Sequence, residues 1–127
     1  MTLVDEAVSI SEAAELTGLS THTLRYYERE GLMRDGVDRA SSSHRRYSPA
    51  DITWVLFLTK LRSTAMPIAK VREYVDLVRG GEATFAARFE LLRAHRVTVV
   101  AQLDEITTSL AAIDKKIDLY QKGINPS

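Results

Sequence analysis

The sequence predicts a mainly α-helical fold: a small amino-terminal head of short helices with a β wing, then one long helix. Two short helical runs flank the turn Gly18-Leu19-Ser20. A second pair of runs starts at Ser48-Pro49 and breaks at Met66-Pro67. From Phe85 onwards, apolar residues recur at alternating steps of four and three over five heptads, the pattern of a coiled-coil seam.

The elements follow in order. Residues 10–17 read as a helix, with Ser11 as the expected N-cap, acids in the first turn and Gly18 just past its end. Ser20 or Thr21 caps a second helix that runs to about Glu30, where Gly31 stops it. Two short helices around a glycine-containing turn have helix-turn-helix spacing. Residues 34–47 hold Gly36, three serines and several charges without helical periodicity; they read as a loop or β-hairpin wing. In Ser48-Pro49-Ala50-Asp51, serine stands at the cap, proline at the first helical position and an acid at the third. That helix presents Ile52, Val55, Leu56, Leu58 and Leu61. Pro67 fits the first turn of the next, where Ile68, Val71, Val75 and Val78 recur at helical steps. Gly80-Gly81 marks the expected boundary between a head of residues 1–80 and a coiled-coil helix with a short tail, residues 81–127.

With 127 residues, 45% hydrophobic and 27% charged, the chain has the make-up of a folded soluble protein. No long apolar run spans a membrane, and the acidic amino terminus lacks the features of a signal peptide, so a cytoplasmic location is expected. The absence of cysteine excludes disulfides, thiolate metal sites and a cysteine redox switch in this chain. His95 has no cysteine or carboxylate cluster beside it at metal spacing, and no metal or other cofactor is expected. No phosphate loop, nucleophile motif or metal cluster suggests an enzyme.

Net charge is zero, but it is unevenly spread. Residues 1–19 hold four acids and no base, whereas residues 20–72 hold ten Lys or Arg against five Asp or Glu. A local positive patch of this kind suits nucleic acid. It coincides with Thr23-Leu24-Arg25-Tyr26-Tyr27-Glu28. On a helix, Arg25, Tyr26 and Arg29 share one side, while Leu24 and Tyr27 point towards another. The first set suits gripping phosphates and the second suits anchoring to a core; Arg25 and Tyr26 are the expected phosphate clamp, with His22 and Arg29 near the groove and Thr23 among the DNA-binding residues. His44-Arg45-Arg46-Tyr47 suits a wing lying along the phosphate backbone, although one of the two arginines has the alternative of bracing the wing internally.

The seam comprises Phe85, Phe89, Leu92, Arg96, Val99, Leu103, Ile106, Leu110, Ile113, Ile117 and Tyr120. Ten of the eleven are apolar, where about five would be expected by chance. A narrow stripe on so long a helix needs a partner helix, most simply the same helix of a second chain. Arg96 in the seam suits a role in register. Trp54, Phe57 and Tyr74 read first as core or interface residues.

The order of parts resembles the MerR family of bacterial transcription regulators over nearly the whole chain. The resemblance rests on the Thr23–Glu28 motif, Arg45-Arg46-Tyr47-Ser48, Leu61-Arg62-Ser63-Thr64-Ala65-Met66-Pro67-Ile68 and the long terminal helix. Leu91-Leu92-Arg93-Ala94-His95-Arg96, Ile113-Asp114-Lys115-Lys116-Ile117 and Tyr120 are similar to the branch that includes aldehyde- and electrophile-responsive members. Family members often have glycine where this chain has Ser43 and Ala65.

The resemblance implies a homodimer, an antiparallel coiled coil and a palindromic site on double-stranded DNA. It also implies a distorted promoter through which RNA polymerase is reached indirectly, and backbone contacts from Lys60 and Arg62. A small-molecule effector is implied near Trp54, Phe57, Tyr74, Phe85 and Phe89, and the missing cysteines mean that it binds non-covalently. Two alternatives stay open: a ligand-independent repressor or architectural DNA-binding protein, and a coiled-coil adaptor whose head binds protein.

Overall fold

A computed structural model describes residues 7–34, 38–39 and 45–125, without the side chains of Asp38, Arg39 and Arg45. The elements run β1 (Val8–Ser9), α1 (Ile10–Thr17), α2 (Thr21–Arg29), β2 (Asp38–Arg39), β3 (Arg45–Tyr47), α3 (Pro49–Ser63) and α4 (Ile68–Arg79). A 3-10 turn (Gly81–Thr84) and α5 (Phe85–Ile124) complete the chain. The chain divides into a unit of residues 1–89 and a unit of residues 90–127.

Local chemistry sets most helix ends in the first unit. Ser20 caps α2 by accepting from the Thr23 amide at 3.0 Å. Ser48 and Asp51 form a reciprocal capping box at the start of α3, with proline in its first turn. Gly18 and Gly31 take left-handed φ of 75° and 71° after α1 and α2, a conformation that costs glycine little. The cap of α1 differs from the sequence expectation: Ser9, not Ser11, accepts from the Glu12 amide, at 3.2 Å. Ser9 and Glu12 have the spacing of a capping box, and Ser9 lies two residues before Ser11. Pro67 stands at the N-cap of α4, just outside its first turn.

The wing is larger than a hairpin. Three strands pair antiparallel in the order β1-β3-β2. Val8 faces Tyr47 and Ser9 faces Arg46, while Asp38 and Arg39 face Arg46 and Arg45. The sequence reading had no strand at Val8–Ser9.

Leu24 and Tyr27 of α2, Tyr47 of β3, Val55, Leu58 and Leu61 of α3, and Val71 and Val75 of α4 are buried together with Ala13, Leu32, Met33 and Met66. Leu56 is 37% exposed. In the second unit no residue of α5 is buried. Leu103, Ile106, Leu110, Ile113 and Ile117 are each more than half exposed.

Candidate nucleic-acid interface

The helix α2 divides its side chains by face. At 3.6 residues per turn, His22, Arg25, Tyr26 and Arg29 fall within about 100° of arc, with Leu24 and Tyr27 opposite. Burial follows that division. Leu24 has no exposed surface and Tyr27 is 6% exposed. His22, Arg25 and Arg29 are exposed, and Thr23 and Tyr26 are half-buried. The Arg29 guanidinium lies 5.7 Å from the centre of the Tyr26 ring, within cation–π range. Tyr26 thus steadies Arg29 on the surface while its own ring meets Tyr27 at 6.2 Å. The Thr23 hydroxyl is a partner of Ser20 Oγ at 3.0 Å, at the start of the helix.

The wing residues separate into different roles. Arg46 is exposed, and its Nη2 donates to the Ala7 carbonyl at 2.8 Å. It therefore braces the segment leading into β1 from the outer side of the sheet. Arg45 is placed by its backbone in β3, and its side chain lies outside the described residues, as do Ser43 and His44. Tyr47 needs a correction. It has no exposed surface, and its hydroxyl donates to the Glu28 carboxylate. Its side chain belongs to the core that joins the wing to α2 and cannot itself touch DNA. Tyrosine suits both settings, an apolar ring with one polar end, so the sequence did not separate them. Lys60 is exposed on α3. Arg62, near it, donates from Nη1 to the Met66 carbonyl at 2.7 Å and so closes the α3–α4 junction.

Of the five aromatic residues expected near an effector, three come together. Trp54 and Tyr74 stack with ring centres 5.9 Å apart and planes 14° from parallel. Phe57 meets Tyr74 at 5.7 Å and 55°. Trp54 Nε1 also donates to the Leu32 carbonyl at 2.9 Å, tying the stack to the segment after α2. Burial raises the Tyr74 phenol above its ordinary pKa, against the opposing pull of Arg88 and Arg34. Phe85 instead lies under the Arg88 guanidinium, 4.6 Å from its ring centre. Phe85 and Phe89 are 57% and 62% exposed and make no ring contact with the trio among the described residues. Among the described residues no group of three or more His, Asp or Glu is placed to hold a metal, and no helix is long and apolar enough to cross a membrane.

A family model described as MerR HTH family regulatory protein matches residues 8–77, from β1 into α4. The chain belongs to the MerR family. Among MerR-family relatives, the HTH-type transcriptional regulator YyaN of Bacillus subtilis is 45% identical over 124 residues, covering 88% of this chain and 89% of its own. AdhR of the same organism is 36% identical over 93 residues, covering 73% of this chain and 66% of its own. A MerR-family regulator from Listeria monocytogenes superposes with a TM-score of 0.85 at 36% identity, over 94% of this chain and 89% of that one. HiNmlR, a MerR-family regulator lacking the sensor domain and solved bound to promoter DNA, has a TM-score of 0.85 at 28% identity, over 94% of each chain. The chain is thus a MerR-family transcription regulator rather than an enzyme.

Proposed function

We propose that this MerR-family chain acts as a homodimer whose two heads, residues 1–80, grip a palindromic promoter site and distort it. The division of α2 is the observation on which this reading rests. A face bearing His22, Arg25 and Arg29 is presented outward by Leu24 and Tyr27, which are buried, as insertion into a major groove requires. Thr23, Tyr26, Arg45, Arg46 and Lys60 complete the proposed surface, and Tyr47 supports it from within. The exposed stripe of α5 supports the dimer. Leu92, Arg96, Val99, Leu103, Ile106, Leu110, Ile113 and Ile117 form a seam in residues 81–127 with no buried member. A soluble chain in the cytoplasm covers so continuous an apolar stripe, here with the same helix of a second, antiparallel copy.

Two linked heads convert their separation into DNA bending and untwisting. RNA polymerase then meets a promoter whose −35 and −10 elements have been brought into register. Circular-permutation electrophoresis and in vitro transcription test this together. Bent DNA and altered transcript yield from the same promoter support it; binding without distortion sinks it.

Effector control is the finer part of the proposal, with Trp54, Phe57, Tyr74, Phe85 and Phe89 as the site. A second reading, a regulator with no ligand, is favoured by the lack of ring contact between Phe85 or Phe89 and the Trp54–Tyr74 stack among the described residues and by the likeness to HiNmlR. Thermal unfolding with aldehydes, quinones and cationic drugs separates the two. A rise in Tm supports the effector site, and a flat panel supports the ligand-free regulator.

A further inference from the structure

The segment that follows α2 is held by two arginines of α4. Arg72 donates from Nη1 to the Glu30 carbonyl at 2.8 Å and from Nη2 to the Glu30 carboxylate at 2.5 Å. Arg79 donates from Nη2 to the carbonyls of Gly31, at 2.9 Å, and Met33, and from Nε to the carbonyl of Arg34 at 3.2 Å. The Glu30 carbonyl lies at the negative end of α2, where a cation is favoured, and the carbonyls of Gly31, Met33 and Arg34 belong to the segment just beyond it. The planar fork of arginine reaches several of them at once, which a point charge cannot do. The α4 end that supplies Arg79 is itself gripped from the 3-10 turn that follows it, which Arg88 of α5 braces in turn. Thr84 Oγ1 donates to the Leu77 carbonyl at 2.5 Å, and Arg88 donates to Thr84 Oγ1 at 2.9 Å and to the Gly81 carbonyl at 2.7 Å.

We infer that Arg79, assisted by Arg72, is a positioning residue for DNA reading: it ties the end of the recognition helix to α4, so that α2 is presented at an angle set by α4. This rests on α2 being the DNA-reading helix. Neither arginine lies on the outward face of α2, and the donors named above are aimed at the protein's own carbonyls and at the Glu30 carboxylate. Their contribution is therefore to the geometry of reading and not to the count of phosphate contacts. Positioning matters most where side chains must meet base edges; phosphate attraction tolerates a displaced helix.

The test uses Arg79→Met in the full chain, which keeps the aliphatic stem and removes the donors. Affinity is measured over a range of salt for a duplex bearing the footprinted dyad and for an unrelated duplex of equal length. Amide exchange across α2 and the following turn is read in the free protein. Affinity for the dyad is expected to fall about tenfold, the scale of one lost charge-assisted hydrogen bond. Affinity for the unrelated duplex and the salt slope should stay unchanged, and exchange at Glu30–Leu32 should speed up while that of α3 does not. Arg79→Lys, with the charge but not the fork, should restore only part of the dyad affinity. Full restoration by lysine, unchanged dyad affinity, or equal losses on both duplexes with a slope smaller by about 0.9 would each overturn the inference. A wild-type chain with no preference for any dyad removes the DNA-reading proposal itself, a result distinct from any effect of Arg79→Met.

Discussion

Tyr47 donates its phenolic hydrogen bond to the carboxylate of Glu28, joining the last residue of β3 to α2. The ring is wholly buried and Glu28 is half-buried, so one side chain serves as core and as link. Wing and helix are therefore set relative to each other by a contact that no solvent-exposed residue makes. Tyr47→Phe keeps the ring and removes the donor, leaving a half-buried carboxylate without that partner. A hydrogen bond to a charged group contributes about 1.5–3 kcal/mol. Denaturant unfolding should show a loss in that range, with dyad affinity reduced and its salt slope unchanged. A loss under about 0.5 kcal/mol would mean that this hydrogen bond does not hold the wing to α2.

Ala65 adopts a φ of 70°, alone among the described non-glycine residues. It follows the C-cap of α3, where the Ala65 amide donates to Arg62 and the Met66 amide to Leu61, both at 3.0 Å. This is the Schellman pattern, and glycine suits its left-handed position. An L-residue there costs about 1–2 kcal/mol, partly offset by the greater unfolded freedom of glycine. Ala65→Gly should raise stability by about 0.5–1 kcal/mol, seen as a higher denaturation midpoint at unchanged m. A lower midpoint would show that the alanine methyl contributes packing that outweighs the strain.

Several features were legible because their chemistry is local. Gly18, Gly31 and the Ser48–Asp51 box each mark a helix end within a few residues of sequence. The face of α2 was legible from spacing alone. What escaped depends on distant partners. Two residues of β1 are a strand only because β3 lies beside them. Tyr47 is buried only because Glu28 and the core surround it. Arg72 and Arg79 look like ordinary solvated helix charges until the turn after α2 folds back beneath them. The aromatic trio is legible as a group, whereas Phe85 and Phe89 are joined to it by family likeness and make no ring contact with it among the described residues.

Arg25 and Arg46 should respond differently to alanine. Arg25→Ala removes an exposed cation from the outward face of α2, so affinity should fall and the salt slope should decrease by about 0.9. Arg46→Ala also releases the Ala7 carbonyl, so a small loss of stability, about 0.5–1.5 kcal/mol, should accompany weaker binding. Both variants should sediment as the wild type does. An Arg25→Ala protein with an unchanged salt slope would remove Arg25 from the phosphate contacts.

Leu103→Asp places a charge in the middle of the α5 stripe. Sedimentation should show monomer at concentrations where the wild type is dimeric, and dyad affinity should fall as a consequence. The isolated head should keep its fold, because Leu103 lies outside the unit of residues 1–89. A variant that stays dimeric would show that the seam assignment is wrong.

The pairing of two α2 helices on one dyad is tested most directly by hydroxyl-radical footprinting of wild type and Leu103→Asp on the same promoter fragment. Two protected half-sites related by a dyad, separated by whole helical turns and lost together in Leu103→Asp, are expected. A single protected patch without a dyad, or protection that survives in Leu103→Asp at the same protein concentration, would contradict it.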